Sequence, residues 1–361
     1  MTTTGLINEI FRQHKIPFAD VLAGDEHGCF LECSGGTADP LESTTVERRY
    51  LIASLTKSVV ATMFVQLASE GYFYLNEPVR NFLPGFHRGS HRTITLRHLL
   101  THSSGLPDML PNNHELRASH AGLGEFVAGT AAQEPGFVPG TATSYCSMGF
   151  ALLAAIMEQR LNQSCAEILR SRLFEPLGMR ESWLGLPDET FAELMPTVVP
   201  CELPEWQANA PDWNWNSAYW RKLGAPWGGM ISTGKDLGRL LQCLLNNGQN
   251  EKGQSVVSPA VAIACTRNQT IRMSNLPETD RKRRPWGFGW RLNWPDHSGC
   301  FSDFLPSSAF GHWGATGTLM WVDRTSSRWC VILTNQPFEK SQTAIQRTSN
   351  IVAASGCRER C

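Results

Sequence analysis

Apolar positions along the chain follow two periods, one helical and one strand-like. Leu6, Ile7, Ile10 and Phe11 predict a first helix over residues 4–14. Two short apolar runs follow, 18–23 and 29–33, split by Gly24-Asp25-Glu26-His27-Gly28; they predict a hairpin. From Ser54 onward Val59, Val60, Met63, Phe64 and Leu67 form an apolar stripe at helical spacing, predicting an amphipathic helix that ends near Gly71. Shorter helices are predicted within 94–106, over 123–132 and over 165–173, and a strongly apolar one over 148–161. Residues 186–228 are irregular, and after Gly228-Gly229 a helix is predicted over 236–245. The period then changes to two. Residues 286–292, 317–322 and 329–333 read as strands, 323–328 as a turn, and 342–354 as a closing helix.

Strands at both ends with helices between them predict an α+β fold. The expected arrangement is an antiparallel sheet built from residues 1–53 and 229–361 and flanked by the terminal helices. A mainly helical domain of residues 54–228 is inserted, with the active site between the two.

At 361 residues the chain can bury a large core. Its formal charge of −1 gives no reason to expect a nucleic acid or an anionic membrane as partner. The one basic run, 281–284, follows Glu278 and Asp280 and reads as a solvated loop. No window reaches the roughly 18 uninterrupted apolar residues of a membrane span. The first residues have neither a basic start nor a long apolar region, so a cytoplasmic location is expected. The eleven cysteines form no disulfide framework or zinc pattern; they are expected to be reduced and mostly buried. Neither a metal nor a cofactor is called for.

Two Ser-x-x-Lys patterns occur, Ser54–Lys57 and Ser232–Lys235. Positions i and i+3 share a helix face, so Ser54 and Lys57 would stand side by side at the start of a helix. A serine hydroxyl needs a neighbouring base, and burial makes a lysine one by lowering its pKa. Ser232 lies beside Gly234 and reads as a loop leading into a helix. Tyr145, between a Pro-Gly turn and a helix, is a candidate acid or base, or a half-buried ring at a helix start. Three glycines in 311–317 suggest close backbone approach to a ligand or a glycine-rich bulge. Trp206, Trp213, Trp215, Tyr219, Trp220 and Trp227 either pack their loop onto the body or line an apolar cleft. A Gly-x-Ser-x-Gly elbow and a His-Glu-x-x-His motif are both absent.

In this combination the chain resembles the serine β-lactamase and penicillin-binding-protein superfamily, within it the class C β-lactamase-like branch that includes family VIII carboxylesterases. Ser54 and Lys57 match Ser-x-x-Lys, Tyr145 and Ser147 match Tyr-x-Asn/Ser, and His312 and Gly314 match the Lys/His-x-Gly strand motif. Residues 99–106, Pro139-Gly140, 176–179 and 228–233 follow in the family's order. The resemblance implies an acyl-enzyme on Ser54, with Lys57 and Tyr145 sharing proton transfer. It implies an oxyanion hole from the backbone N–H groups of Ser54 and Ala315, and substrate contacts from Ser147, His312, Trp313 and Gly314.

His312 and Trp313 stand where penicillin-recognising members often carry Lys and a hydroxyl residue, and Ser147 stands in place of Asn. A mostly neutral imidazole beside an indole is a weaker carboxylate site. The expected activity is therefore a carboxylesterase acting on small or apolar esters. The alternatives are a β-lactamase or D-Ala-D-Ala-type peptidase, a small-molecule acyltransferase, and a non-catalytic ligand-binding homologue. The expected partner is a small-molecule ester or amide.

Overall fold

The computed structural model describes residues 2–38, 48–294, 297 and 300–355. Cys357 and Cys361 lie outside them, as does part of the polar link before Arg48. The first helix is α1, Thr3–Gln13, capped by Thr2, whose hydroxyl accepts the Gly5 N–H. The predicted hairpin is β1 (Ala19–Asp25) and β2 (Gly28–Gly35). Two short strands, β3 (Tyr50–Leu51) and β4 (Trp183–Leu184), pair with a third, β5 (Met230–Ser232), in a small sheet of order β3-β5-β4. The remaining strands are β6 (Arg291–Leu292), β7 (Phe310–Gly314), β8 (Thr318–Asp323) and β9 (Arg328–Thr334). The main sheet is antiparallel, of order β2-β1-β9-β8-β7-β6, so strands from both ends of the chain meet at the β1–β9 pair.

Alternation along these strands separates two cores. On one face Val21, Leu319, Trp321 and Ile332 pack with Ile7, Phe11 and Ile345 of the terminal helices. On the other, Leu22, Met320, Val322 and Leu333 join the larger core that holds the central helices. The closing helix runs Phe338–Ala354, four residues earlier than its apolar period predicted, because Pro337 serves as N-cap and Phe338 is buried under the sheet. Trp321 Nε1 donates to Ser349 Oγ at 2.8 Å and pins that helix to β8.

The central helix α2 runs Leu55–Ser69, and from Leu55 to Val65 every residue is buried. It is a core helix on nearly all sides, where the sequence predicted a single apolar stripe. Its hydroxyl residues make that burial tolerable by finding partners. Thr56 donates to the Ala53 carbonyl at 2.6 Å, Ser58 to Gly289 O at 2.8 Å, and Thr62 accepts the Trp290 indole N–H at 3.0 Å. A second core helix, α3, spans Met148–Leu161.

Two expectations change. Residues 286–292 are strand only at Arg291–Leu292, because Gly289, at φ +68°, turns the chain in against α2. A Cβ there would sit 2.3 Å from Ala61 Cβ. The basic run lies largely in a short helix, Glu278–Arg283, in which Lys282 pairs with Glu278 at 2.5 Å, instead of a loop. Among the described residues no helix is long and apolar enough to cross a membrane.

Candidate active site

Strand β3 delivers the chain into α2 through Ala53, which has φ +46°. A residue with a Cβ pays about 1–2 kcal/mol for that left-handed conformation. Ser54 then takes the N-cap position, yet its hydroxyl caps no backbone N–H. It accepts a hydrogen bond from Lys57 Nζ at 3.0 Å instead, and Lys57 Nζ also donates to the Trp227 carbonyl at 2.6 Å. Lys57 is 1% exposed. Burial lowers its pKa to about 7, against the opposing pull of Asp108 and Cys146.

Tyr145 reaches the same point from the loop before α3. Its ring lies 4.8 Å from Lys57 Nζ and its hydroxyl is a hydrogen-bond neighbour of Ser54. Burial drives the Tyr145 pKa well above its usual value, outweighing the Ser54 bond, so the phenol stays protonated. The loop is held from behind by His102. Its Nδ1 accepts the Cys146 N–H at 3.0 Å, its carbonyl accepts the Ser144 N–H at 2.9 Å, and its ring lies 4.7 Å from Tyr145. Burial and the neighbouring Lys57 push the His102 pKa well down, so it is a neutral buttress. Ser147 is buried, and its N–H donates to Asp108 Oδ1 at 2.9 Å.

The third wall is the β7–β8 hairpin, where the sequence left a bulge open. Strand β6 ends opposite Gly311, so the end of β7 has no strand on that side. It lies instead on the segment before Ser54. Thr316 Oγ1 donates to Leu51 O at 2.6 Å and Thr318 Oγ1 to Ile52 O at 3.0 Å. A Cβ on Gly314 would meet Ile52 O at 2.6 Å and Ala53 Cβ at 3.2 Å, so only glycine allows this approach. Ala315 follows, exposed to the cleft; among the described residues neither its N–H nor that of Ser54 is donated to a protein acceptor.

His312 is buried, and its Nδ1 lies 2.7 Å from the Trp313 carbonyl, which fixes the tautomer with Nδ1 as donor. Burial, first, and then Lys57 lower its pKa to about 3, and its Nε2 lone pair has no partner among the described residues. Trp313 is half-buried and stacks on Phe338 at 4.7 Å.

Of the residues singled out from the sequence, Ser147 is buried and Trp220 and Trp227 pack in the larger core, while Ser54, Lys57, Tyr145, His312, Gly314 and Ala315 border this cleft. The other Ser-x-x-Lys does not. Ser232 ends β5, Thr233 caps the helix α4 (Gly234–Leu245), and Lys235 pairs with Glu32 at 3.1 Å on the surface. Sequence reasoning missed four participants: His102 and Asp108 as buttress and charge, the Trp227 carbonyl, and Arg291. Arg291, on the edge strand, lies within electrostatic reach of Tyr145 and His312, and its Nη2 lies 3.1 Å from His297 Nδ1. The only signal for Asp108 was its place just beyond the 99–106 segment. No group of residues suited to hold a metal ion is found among the described residues.

With this arrangement in view, the chain is recognised as a member of the Beta-lactamase family, matching it over residues 34–354. It is a serine hydrolase by class. It is 31% identical over 281 residues to Penicillin-binding protein 4 of Amycolatopsis lactamdurans, covering 76% of this chain and 68% of that one. It is 27% identical over 208 residues to Esterase EstB of Burkholderia gladioli, spanning 52% of each chain. In fold it is similar to a family VIII carboxylesterase of known structure, with a TM-score of 0.74 at 20% identity over 97% of both chains.

Proposed function

We propose that the protein is a carboxylesterase for small, apolar esters that works through an acyl-enzyme on Ser54. The observation that carries this reading is the buried contact between Ser54 and a lysine whose pKa is near neutrality. Neutral Lys57 takes the Ser54 proton as Oγ attacks the ester carbonyl, forming the C–O bond of a tetrahedral adduct. The N–H groups of Ser54 and Ala315 receive the oxyanion. Tyr145, kept protonated by burial, gives its proton to the departing alkoxide and recovers one from Lys57. Water then attacks the acyl-enzyme by the same groups in reverse.

Esters are favoured over β-lactams because the β7 side of the cleft offers a neutral imidazole and an indole where a carboxylate would need a cation. Arg291 supports a second reading, a β-lactamase or D-Ala-D-Ala-type peptidase, since a guanidinium near Tyr145 could pair with a substrate carboxylate. The deciding experiment compares turnover of a short-chain 4-nitrophenyl ester with that of a chromogenic cephalosporin, using Ser54→Ala as control. Faster ester turnover that disappears in Ser54→Ala is expected. Faster cephalosporin turnover would reverse the substrate ranking, and equal ester rates in the two proteins would remove Ser54 as nucleophile.

A further inference from the structure

We infer that the apolar half of the substrate is its acyl group, that this group carries a flat ring, and that it lies in an aromatic cavity beside Ala315. The inference rests on the hydrolase reading above and adds which end of the ester is recognised, and by what.

A cavity of about 510 Å³ opens next to Ala315, bounded by Trp206 and Trp215 from the irregular loop, Trp313 from β7 and Phe338 at the start of the closing helix. It meets the reacting centre at Ala315, and Ser54, Lys57 and Tyr145 do not line it. An ester whose carbonyl oxygen sits between the Ser54 and Ala315 N–H groups directs its alkoxy group toward the proton donor. The acyl chain must point the other way. With Tyr145 as donor, the cavity on the Ala315 side is where the acyl chain goes.

The walls select its chemistry. Trp313 and Phe338 stack at 4.7 Å with planes 20° apart, while Trp206 and Trp215 meet edge to face at 6.2 Å. Rings in these two orientations offer both a face and an edge to a planar guest. Among the described residues no lysine or arginine lines the space, its one carboxylate is that of Glu339, and burial, then Arg291, holds the pKa of the lining His297 below its usual value, so an anionic acyl group is disfavoured.

Trp206 is 48% exposed, so one side of its indole is open to a guest. It is nevertheless held in place. The His114 ring stacks on it at 5.5 Å with planes 5° apart, and the Arg117 guanidinium lies 5.6 Å from its centroid. Arg117 is itself buried and lies 3.9 Å over Trp220. A ring fixed this way loses little freedom when a guest packs on it. The cavity is also tied to the reacting centre, since the Phe338 N–H donates to the Ala315 carbonyl at 2.9 Å.

The test uses 4-nitrophenyl acetate, octanoate and phenylacetate, which share a leaving group and differ in the acyl chain. A kcat/KM for phenylacetate about tenfold or more above acetate, and above octanoate, is expected from burial of one ring. Trp206→Ala should cut the phenylacetate-to-acetate ratio severalfold and Trp206→Phe should restore most of it. Phe338→Leu provides an independent reading should Trp206→Ala fail to fold. Acetate or octanoate preferred over phenylacetate, or a ratio that these variants leave in place, overturns the inference while the hydrolase reading stands. If no ester yields a Ser54-dependent product, the hydrolase reading falls instead. The cavity is then judged by phenylacetamide titration of tryptophan fluorescence. Saturable quenching that Trp206→Ala weakens supports it, and absence of saturable quenching overturns it.

Discussion

A lysine walled in by a serine hydroxyl, a tryptophan carbonyl and a tyrosine ring no longer behaves as it does in water. Lys57 gains two hydrogen bonds but loses its hydration, and the loss dominates. Only the neutral amine can accept the Ser54 proton, so kcat/KM for an ester should rise with pH through an apparent pKa of about 7. Asp108 opposes the downward shift, so in Asp108→Asn that limb should move to lower pH. The same burial bears on stability. The folded state holds fewer protons at Lys57 than the unfolded chain between pH 7 and the ordinary lysine value of 10.5. Stability should therefore rise with pH across that window and fall as pH drops toward 7. Lys57→Met should abolish most ester turnover, raise the thermal midpoint at pH 7, and remove that pH dependence, as thermal melts at pH 7 and pH 9 would show. An unchanged midpoint would mean that Lys57 carries no such cost. Ser54, Lys57 and Tyr145 were legible in sequence because spacing and order mark them. Asp108 and Arg291 were not, because what brings them to the cleft is contact between segments distant in sequence.

At the level of elements, the site depends on two backbones meeting, the strand-to-helix turn at Ala53 and the end of β7. The glycines of 311–317 announced close approach, but not to what. The structure shows the partner to be residues 51–53 of the same chain, tied by two threonine hydroxyls. Gly314→Ala would drive a methyl into Ile52 O and the Thr318 hydroxyl, 2.6 Å and 2.3 Å away. The hairpin would have to lift, taking the Ala315 N–H with it. Losing one oxyanion donor costs about 10²–10³ in rate, so kcat/KM should drop at least about a hundredfold with little change in far-UV circular dichroism. A loss under tenfold would remove Ala315 from the oxyanion role. Long helices and the β1–β2 and β8–β9 hairpins were readable from period and turn residues. The two- and three-residue strands β3, β4 and β5 were not, since so short a run carries no period of its own.

On the scale of the whole molecule, the alternation that divides the sheet into two faces also decides where the thiols go. Cys33 and Cys330 lie in the core under the terminal helices, and Cys146, Cys165, Cys201, Cys243 and Cys265 in the larger one. Cys300 is buried outside both cores, near Asp303 and Gln346, while Cys29 is exposed on β2. The sequence indicated reduced, mostly buried cysteines, but could not say which of the nine described ones faces solvent, because a bulge at Phe30, where Ala23 pairs with Leu31 and Gly24 with Cys29, breaks the alternation of β2. Burial also raises thiol pKa values, to about 11 at Cys33 and about 12 at Cys146 and Cys243, which keeps them in the unreactive protonated form. Iodoacetamide labelling read by peptide mass spectrometry should therefore modify Cys29 quickly in native buffer. The eight buried thiols should react at least about a hundredfold more slowly, at a rate set by opening of the fold. Denaturant should bring them to a common rate. Cys146 is the informative exception to look for, since it lies one residue from Tyr145 and beside His102. Fast native labelling there, with the other core thiols protected, would mean that the wall behind Tyr145 opens on its own, and that Tyr145 is not held in the position from which it would donate to a leaving group.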